Sequence, residues 1–249
     1  MKQWIKRIVV ALGILLLVGA AAFIWWGTHP LAAMPEAQNA LQSDSQVQVS
    51  NNDWITFLPV ENRMDVGVIL YPGGHVDPVA YTPLARGIAA AGFPVIMPRM
   101  PLNLAVFDIN AADEIMARYP EIETWVIGGH SLGGAMAAEY VSGHETAVRG
   151  LFLWASYSAE NTDLSRFTNL KVLSIFGSED GDVAGIHASR DRLPLDTSWV
   201  EMAGANHAQF GYYGEQPGDG TATISREAQQ EIILENTLTF LNEIALLAQ

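Results

Sequence analysis

One short stretch constrains the fold more than any other part of the sequence. Residues 124–135 read Thr-Trp-Val-Ile-Gly-Gly-His-Ser-Leu-Gly-Gly-Ala, an apolar, β-rich run followed by glycines, a serine and small residues. In the pattern Gly129-x-Ser131-x-Gly133, the glycines allow a strand and a helix to approach closely around a tight bend. The serine at such a bend is strained, and its hydroxyl is exposed. The stretch predicts a strand–turn–helix that presents Ser131 as a nucleophile, although an ordinary glycine-rich turn has the same pattern.

The remaining chain alternates predicted strands with predicted helices. Strands are expected at residues 46–49, 54–58, 66–71, 93–97, 125–127, 150–154, 172–176 and 198–202, which are apolar or β-rich. A helix capped by Asp77 and a C-terminal helix with Leu234, Leu238, Leu241 and Ala245 on one face are expected among others. This alternation predicts an α/β fold with a doubly wound, mostly parallel sheet and helices on both faces. The short segment between residues 154 and 172 predicts a minimal cap over any active site.

A serine nucleophile needs a base, and the base needs an acid that orients it. The loop at residues 177–182, Gly-Ser-Glu-Asp-Gly-Asp, follows one predicted strand, and Gly204-Ala-Asn-His207 follows the next. The candidates therefore occur in the order Ser, acid, His, each after a predicted strand. In parallel sheets the chemistry gathers at the carboxyl ends of strands, so we expect these residues to meet there.

Three acidic residues compete for the role of the orienting acid. Asp180 is favoured, because the turn Gly-x-x-Asp places it first to leave the strand and face the histidine loop. Asp182 and Glu179 lie in the same tight turn, and the choice between Asp180 and Asp182 stays open at this point.

His207 is the strongest candidate base among the six histidines, and His75 is its only serious rival. His130 adjoins Ser131 in the bend, so its side chain should point away from the serine hydroxyl and pack. The aromatic loop at residues 210–214 is expected either to line the substrate pocket or to pack on itself.

An oxyanion site needs two backbone N–H groups, one after the nucleophile and one after an earlier strand. These map to Leu132 and Gly74, with the His75 amide as a near alternative.

These motifs together resemble the α/β-hydrolase superfamily. The resemblance is carried by Pro72-Gly73-Gly74, the bend from Gly129 to Gly134, Gly177-x-x-Asp180 and Asn206-His207. More closely, residues 46–249 are similar to small bacterial members of the dienelactone-hydrolase-like, fold-5-type group. The resemblance implies a triad of Ser131, His207 and Asp180 and acyl-ester chemistry. Because the nucleophile here is serine and not cysteine, a lactone substrate is not implied.

Composition excludes several other classes of protein. The chain has no cysteine, which rules out disulfides, thiolate nucleophiles and cysteine-ligated metals. Its formal net charge of −14 argues against nucleic-acid binding, which needs basic residues to neutralise phosphates. Phosphate loops, metal-ligand clusters and dinucleotide fingerprints are also lacking in the sequence, so no cofactor or metal is expected.

The N-terminus predicts a membrane anchor. Residues 8–26 are uncharged and mostly apolar, and at 1.5 Å per residue they nearly span a hydrocarbon core of about 30 Å. Lys2, Lys6 and Arg7 precede this stretch and predict a cytoplasmic N-terminus, while Trp25 and Trp26 fit the opposite interface. The alternative is a signal peptide that is cleaved near residues 31–33, which would leave a secreted protein.

The predicted organisation is an anchor at residues 1–27, a tether at 28–45 and an α/β-hydrolase domain at 46–249, outside the cytoplasm. The expected function is hydrolysis of an ester or related small acyl substrate through an acyl-enzyme. An acyltransferase on the same scaffold and a membrane-anchored binding protein without turnover are the alternatives.

Overall fold

The computed structural model describes residues 2–248, and its strands form one sheet. The strands are β1 (Val47–Asn51), β2 (Trp54–Pro59), β3 (Val66–Tyr71), β4 (Val95–Pro98), β5 (Thr124–His130), β6 (Gly150–Trp154), β7 (Lys171–Gly177) and β8 (Ser198–Met202). Their order is β1-β2-β4-β3-β5-β6-β7-β8. Only β2 runs antiparallel to its neighbours, so the carboxyl ends of β3 to β8 share one edge. All eight predicted strands are present.

Within residues 2–248, seven α-helices connect or flank these strands. They are α1 (Lys2–Gly27), α2 (Pro35–Asn39), α3 (Thr82–Ala90), α4 (Ala111–Arg118), α5 (Leu132–Gly143), α6 (Val183–Ala188) and α7 (Arg226–Leu247). Asp77 accepts a hydrogen bond from the Val79 N–H at 3.0 Å, as a cap should. The turn that it caps, Pro78–Tyr81, is a 3₁₀ helix, and α3 begins only at Thr82.

Two apolar layers cover the two faces of the sheet. One contains side chains of α3 and α7, and the other contains side chains of α4 and α5. In α7 the buried apolar residues are Ile233, Phe240, Leu241, Ile244 and Ala245. Leu234 and Leu238, expected on the apolar face, are only partly buried at its margin. The helical spacing of the apolar residues in α7 is as predicted, but the buried face is rotated about the helix axis relative to the predicted one.

The N-terminal segment consists of a long apolar helix followed by residues that pack on the rest of the protein. The helix α1 is long and apolar enough to cross a membrane: an 18-residue window within Gln3–Gly27 has a mean hydropathy of 2.8 and no buried residue. Residues 28–45, predicted as a tether, lie against the body. Leu31 pairs with the strand-end loop at Val76, where its N–H donates to the His75 carbonyl at 2.8 Å. Ala37 of α2 is fully buried.

Candidate active site

The bend between β5 and α5 holds Ser131 in a strained conformation. Its φ of 51° and ψ of −123° lie where residues with a side chain are rarely found. The Ser131 N–H donates to the Trp154 carbonyl at 3.0 Å, and its carbonyl accepts from the Ser156 hydroxyl at 2.6 Å. Two contacts from the end of β6 therefore fix the backbone of the serine.

The glycines on either side of Ser131 are required by crowding. A Cβ atom on Gly129 or on Gly133 would collide with the Tyr71 carbonyl oxygen at the end of β3. A Cβ on Gly133 would also collide with the Pro72 carbonyl oxygen. The Gly-x-Ser-x-Gly pattern thus reflects close approach of α5 to β3.

The loops after β7 and β8 bring Asp180 and His207 together. The Nδ1 atom of His207 lies 2.8 Å from Oδ2 of Asp180, and their side chains are 12% and 2% exposed. The other carboxylate oxygen of Asp180 accepts from the Asp182 N–H at 2.9 Å. Among the described residues, Nε2 of His207 has no hydrogen-bond partner. One nitrogen of the imidazole is thus held by a buried carboxylate, and the other has no partner in the described chain.

Asp182, the alternative acid, is engaged elsewhere. Its carboxylate accepts from the Gly185 N–H at 3.1 Å, which caps α6, and from the Tyr157 hydroxyl at 2.6 Å. The hydrogen bond to Asp182, and next burial, raises the pKa of Tyr157. Asp182 therefore forms part of the wall beside Asp180, and in the described chain it makes no hydrogen bond with His207.

His130, the neighbour of Ser131 in the bend, is fully buried and packs against the ring of His207 at 4.5 Å between centroids. The Tyr81 hydroxyl accepts from the Gly73 N–H and contacts Nδ1 of His130 at 2.9 Å. Burial, and next the proximity of His207, lowers the pKa of His130 well below its ordinary value. A neutral His130 can support the ring of His207 without repelling it when His207 is protonated.

The aromatic loop that follows His207 packs inside the protein. Phe210 stacks on His130 with ring centroids 5.5 Å apart, and Tyr213 is fully buried beside the same ring. Of the two expectations for this loop, packing is the one that the structure bears out.

Two backbone N–H groups near the bend at Ser131 are unpaired in the part of the chain that the structure describes. In residues 2–248 the N–H groups of Gly74 and Leu132 have no hydrogen-bond acceptor. A Cβ on Gly74 would lie only 2.9 Å from the side chain of Leu132, so the two loops are adjacent. The His75 N–H, the alternative donor, is occupied by the Asn103 carbonyl at 2.8 Å. Leu132 also begins α5, whose N-terminal dipole favours negative charge.

A cavity of about 390 Å³ opens at this site. Its lining consists of Ser131, Leu132, Ala135, Ala155, Ser156, Tyr157, Ala159, Asp180, Asp182, Ile186 and His207. Within the described chain, residues 155–170 between β6 and β7 form no helix or strand, which agrees with the minimal cap expected there. The serine, the histidine and a mainly small, apolar wall therefore share one accessible space.

Three supporting residues escaped the sequence-based prediction. The Asp219 carboxylate accepts from the N–H groups of His207 and Ala208 at 2.9 and 2.8 Å. Arg226, at the start of α7, donates to the carbonyls of Ala208, Gly211 and Tyr213. The buried Gln229 exchanges two hydrogen bonds with the backbone of Asn206. These polar side chains fix the loop that carries His207, and no local motif marks them.

Asp219 provides a test of this loop. Asp219→Asn should lower kcat by about tenfold to a hundredfold, because a small displacement of a catalytic group costs rates of that order. The amide retains one acceptor for the two N–H groups that the carboxylate now binds. Ester hydrolysis measured beside Glu215→Gln, which removes a charge from an exposed position of the same loop, checks it. Equal rates for the two variants would contradict the supporting role.

The sheet order, the bend at Ser131 and the Asp180–His207 pair define an α/β-hydrolase architecture. A family model described as the alpha/beta hydrolase family matches residues 67–231, which is more than half of the chain. The chain therefore belongs to the alpha/beta hydrolase family. The predictions of this fold and of an α/β-hydrolase enzyme are confirmed. A search of curated proteins found no match.

Solved structures share the fold at low sequence identity. A predicted CIB-like hydrolase from Thermoplasma acidophilum is 17% identical with a TM-score of 0.54, over 78% of this chain and 98% of that chain. The esterase domain of a Rhodothermus marinus protein is 14% identical with a TM-score of 0.57, over 78% and 97%. A soluble variant of monoglyceride lipase from Saccharomyces cerevisiae is 11% identical with a TM-score of 0.59, over 82% and 96%.

Proposed function

We propose that this protein is a serine hydrolase that cleaves carboxylic esters through a Ser131–His207–Asp180 triad. The observation that carries the proposal is the 2.8 Å contact between Asp180 and His207, with the other nitrogen of His207 unpartnered among the described residues. Ser131 lines the same cavity as His207. Membership of the alpha/beta hydrolase family and the likeness to esterase structures support it.

In the proposed reaction, Oγ of Ser131 attacks the ester carbonyl carbon while Nε2 of His207 takes the hydroxyl proton. Asp180 keeps the proton of the neutral imidazole on Nδ1 and stabilises the imidazolium that forms. The bond to the leaving alcohol then breaks as His207 returns its proton to that oxygen, which leaves an acyl-Ser131. Water attacks the acyl group and gives a proton to His207; the bond between the acyl carbon and Oγ of Ser131 then breaks as His207 returns that proton to Oγ, and the acid leaves.

The negative charge on the carbonyl oxygen needs donors that are already in place. We assign this role to the N–H groups of Leu132 and Gly74, because both lack acceptors in the described chain and their loops are adjacent. His75 is the weaker choice, since its N–H is already bonded to Asn103.

The apolar side chains of Leu132, Ala135, Ala155 and Ile186 suit an acyl chain in the cavity. Within the family, the chain resembles the dienelactone-hydrolase-like group with serine in place of cysteine.

A panel of soluble esters and a fluorophosphonate probe, applied to the full chain, test the proposal. We expect ester hydrolysis with release of free acid and covalent labelling of Ser131. Transfer to added alcohols would indicate an acyltransferase, and absence of labelling and turnover would indicate a binding protein.

We further propose that α1 is retained as a single-pass anchor, with the N-terminus in the cytoplasm and the catalytic domain outside. Lys2, Lys6 and Arg7 precede the apolar stretch, as the positive-inside rule requires. The Leu31 N–H donates to the His75 carbonyl at 2.8 Å, and the Leu31 carbonyl accepts from the Asp77 N–H at 3.0 Å. Cleavage near residues 31–33 would break or weaken these two hydrogen bonds, which favours retention of the segment.

The anchor assignment predicts that the mature protein keeps its first residues and sediments with membranes after an alkaline wash. Protease added outside intact cells should digest the catalytic domain. N-terminal sequencing of the membrane and membrane-free fractions shows which fraction holds the protein and whether its first residues are retained. A mature protein that begins near residue 33 in the membrane-free fraction would show that the segment is a signal peptide.

A further inference from the structure

The C-terminal end of α1 contacts the loops after β3 and β4, and the first of these loops lies beside Leu132 of the cavity wall. The Trp26 ring stacks on the His75 ring with centroids 4.0 Å apart and planes 11° apart, and Nε2 of His75 donates to the Trp26 carbonyl at 2.8 Å. The Asn103 amide donates to the Gly27 carbonyl at 2.8 Å. His75 directly follows Gly74, so the residue that α1 contacts is the sequence neighbour of the proposed oxyanion donor.

Two exposed apolar side chains lie beside this junction. Val106 and Phe107 are 47% and 52% exposed, and the Phe107 ring meets Phe23 of α1 edge-on at 6.3 Å. They belong to the loop after β4, which is parallel to β3, so they lie at the same edge of the sheet as Gly74. Phe23 also stacks on Trp26 with ring centroids 5.7 Å apart, so Phe107, Phe23 and Trp26 form one row of aromatic rings. These three residues and the exposed Trp25 and Val106 are named here the anchor-side surface.

A bilayer that held α1 would place its interface at this surface. Tryptophans at the end of a membrane-spanning helix sit at headgroup level. Exposed apolar side chains next to them would enter the boundary between headgroups and acyl chains, as those of interfacial proteins do.

We propose that the anchor-side surface seats the active-site entrance on the membrane, and that the substrate is an amphiphilic acyl ester drawn from the bilayer. This inference rests on the proposed esterase function and names its substrate class. Beyond its first 35 residues the chain has 10 basic against 27 acidic residues, so the lipid substrate should be uncharged or zwitterionic, since an anionic one would be repelled. The small, mainly apolar cavity beside Ser131 suits the ester end of such a molecule.

A pair of matched variants tests the proposal with the full chain in phosphatidylcholine vesicles. Val106→Asp should lower hydrolysis of a long-chain monoacylglycerol in the bilayer by about fivefold, because a carboxylate resists entry into the interface. Hydrolysis of p-nitrophenyl acetate from water should not change. Val60→Asp is the control: Val60 is 53% exposed but follows the antiparallel β2, at the opposite edge. Equal losses on both substrates, or equal effects of the two variants, would overturn the proposal.

A second measurement is independent of activity. Because the chain has no cysteine, Val106→Cys and Val60→Cys each accept one fluorescent label. Lipids with brominated acyl chains should quench the label at position 106 and leave the label at position 60 unquenched. Quenching at 106 in a protein that hydrolyses no ester would refute the proposed function and keep the docking surface. Soluble-ester hydrolysis with both labels unquenched would refute the docking surface and keep the function.

Discussion

Ser131→Ala is expected to lower kcat/KM for a soluble ester by at least about a thousandfold, because it removes the nucleophile on which both half-reactions depend. Residual turnover should come only from the oxyanion donors and substrate binding. The bend itself should survive, since Ala at φ 51° replaces a residue that is equally strained there. Steady-state hydrolysis, with thermal unfolding as a check on folding, measures the effect. Labelling by a fluorophosphonate probe should disappear in the same variant.

A second serine in the cavity supplies the matched control. The hydroxyl of Ser156 donates to the Ser131 carbonyl at 2.6 Å, so it is oriented toward backbone and held there. Ser156→Ala should therefore lower the rate far less than Ser131→Ala and keep the probe label. A label that persists in Ser131→Ala and is lost in Ser156→Ala would make Ser156 the nucleophile and contradict the proposed triad.

The sequence predicted the strands well because both faces of this sheet are covered. The strand β3, Val66–Tyr71, is buried at every position and reads as an unbroken apolar run. Helix faces were harder to place. Leu234 continues the apolar period of α7, yet it packs at the margin against Gly87, where the absence of a side chain leaves room. Ile233, one residue earlier, takes the buried position. The period follows from the sequence, but the rotation depends on the partner surface.

In the candidate site, too, some features follow from local sequence and others depend on how distant segments pack. Ser131, Asp180 and His207 each follow a strand, and the parallel order brings their loops to one edge, which local patterns can predict. Asp219 and Arg226 have no such mark. They bind backbone groups of the His207 loop: Asp219 does so from the segment that precedes α7, and Arg226 does so from the first residue of α7. The stacking of Trp26 on His75 joins residues 49 positions apart and is equally invisible in the sequence.

Asp180→Asn is expected to lower kcat/KM by about ten-thousandfold while the fold persists. In the proposed triad the Asp180 carboxylate accepts a hydrogen bond from the Nδ1–H group of His207 at 2.8 Å, which leaves Nε2 as the base. An asparagine amide can instead donate to Nδ1, which would move the ring proton to Nε2, the wrong tautomer for attack by Ser131. The loss should fall on kcat more than on KM, since Asp180 orients the base and does not hold the acyl chain.

The neighbouring Asp182→Asn is the matched comparison, because it removes the same charge two residues away. Its amide oxygen can still accept from the Gly185 N–H or from the Tyr157 hydroxyl, so α6 and the cavity wall should keep their positions. The rate should then change little relative to Asp180→Asn. Hydrolysis of one soluble ester by both variants, with unfolding temperatures measured in parallel, separates the two acids. A larger loss in Asp182→Asn would transfer the role of the orienting acid to Asp182, because a carboxylate that only caps α6 and binds Tyr157 cannot set the tautomer of His207.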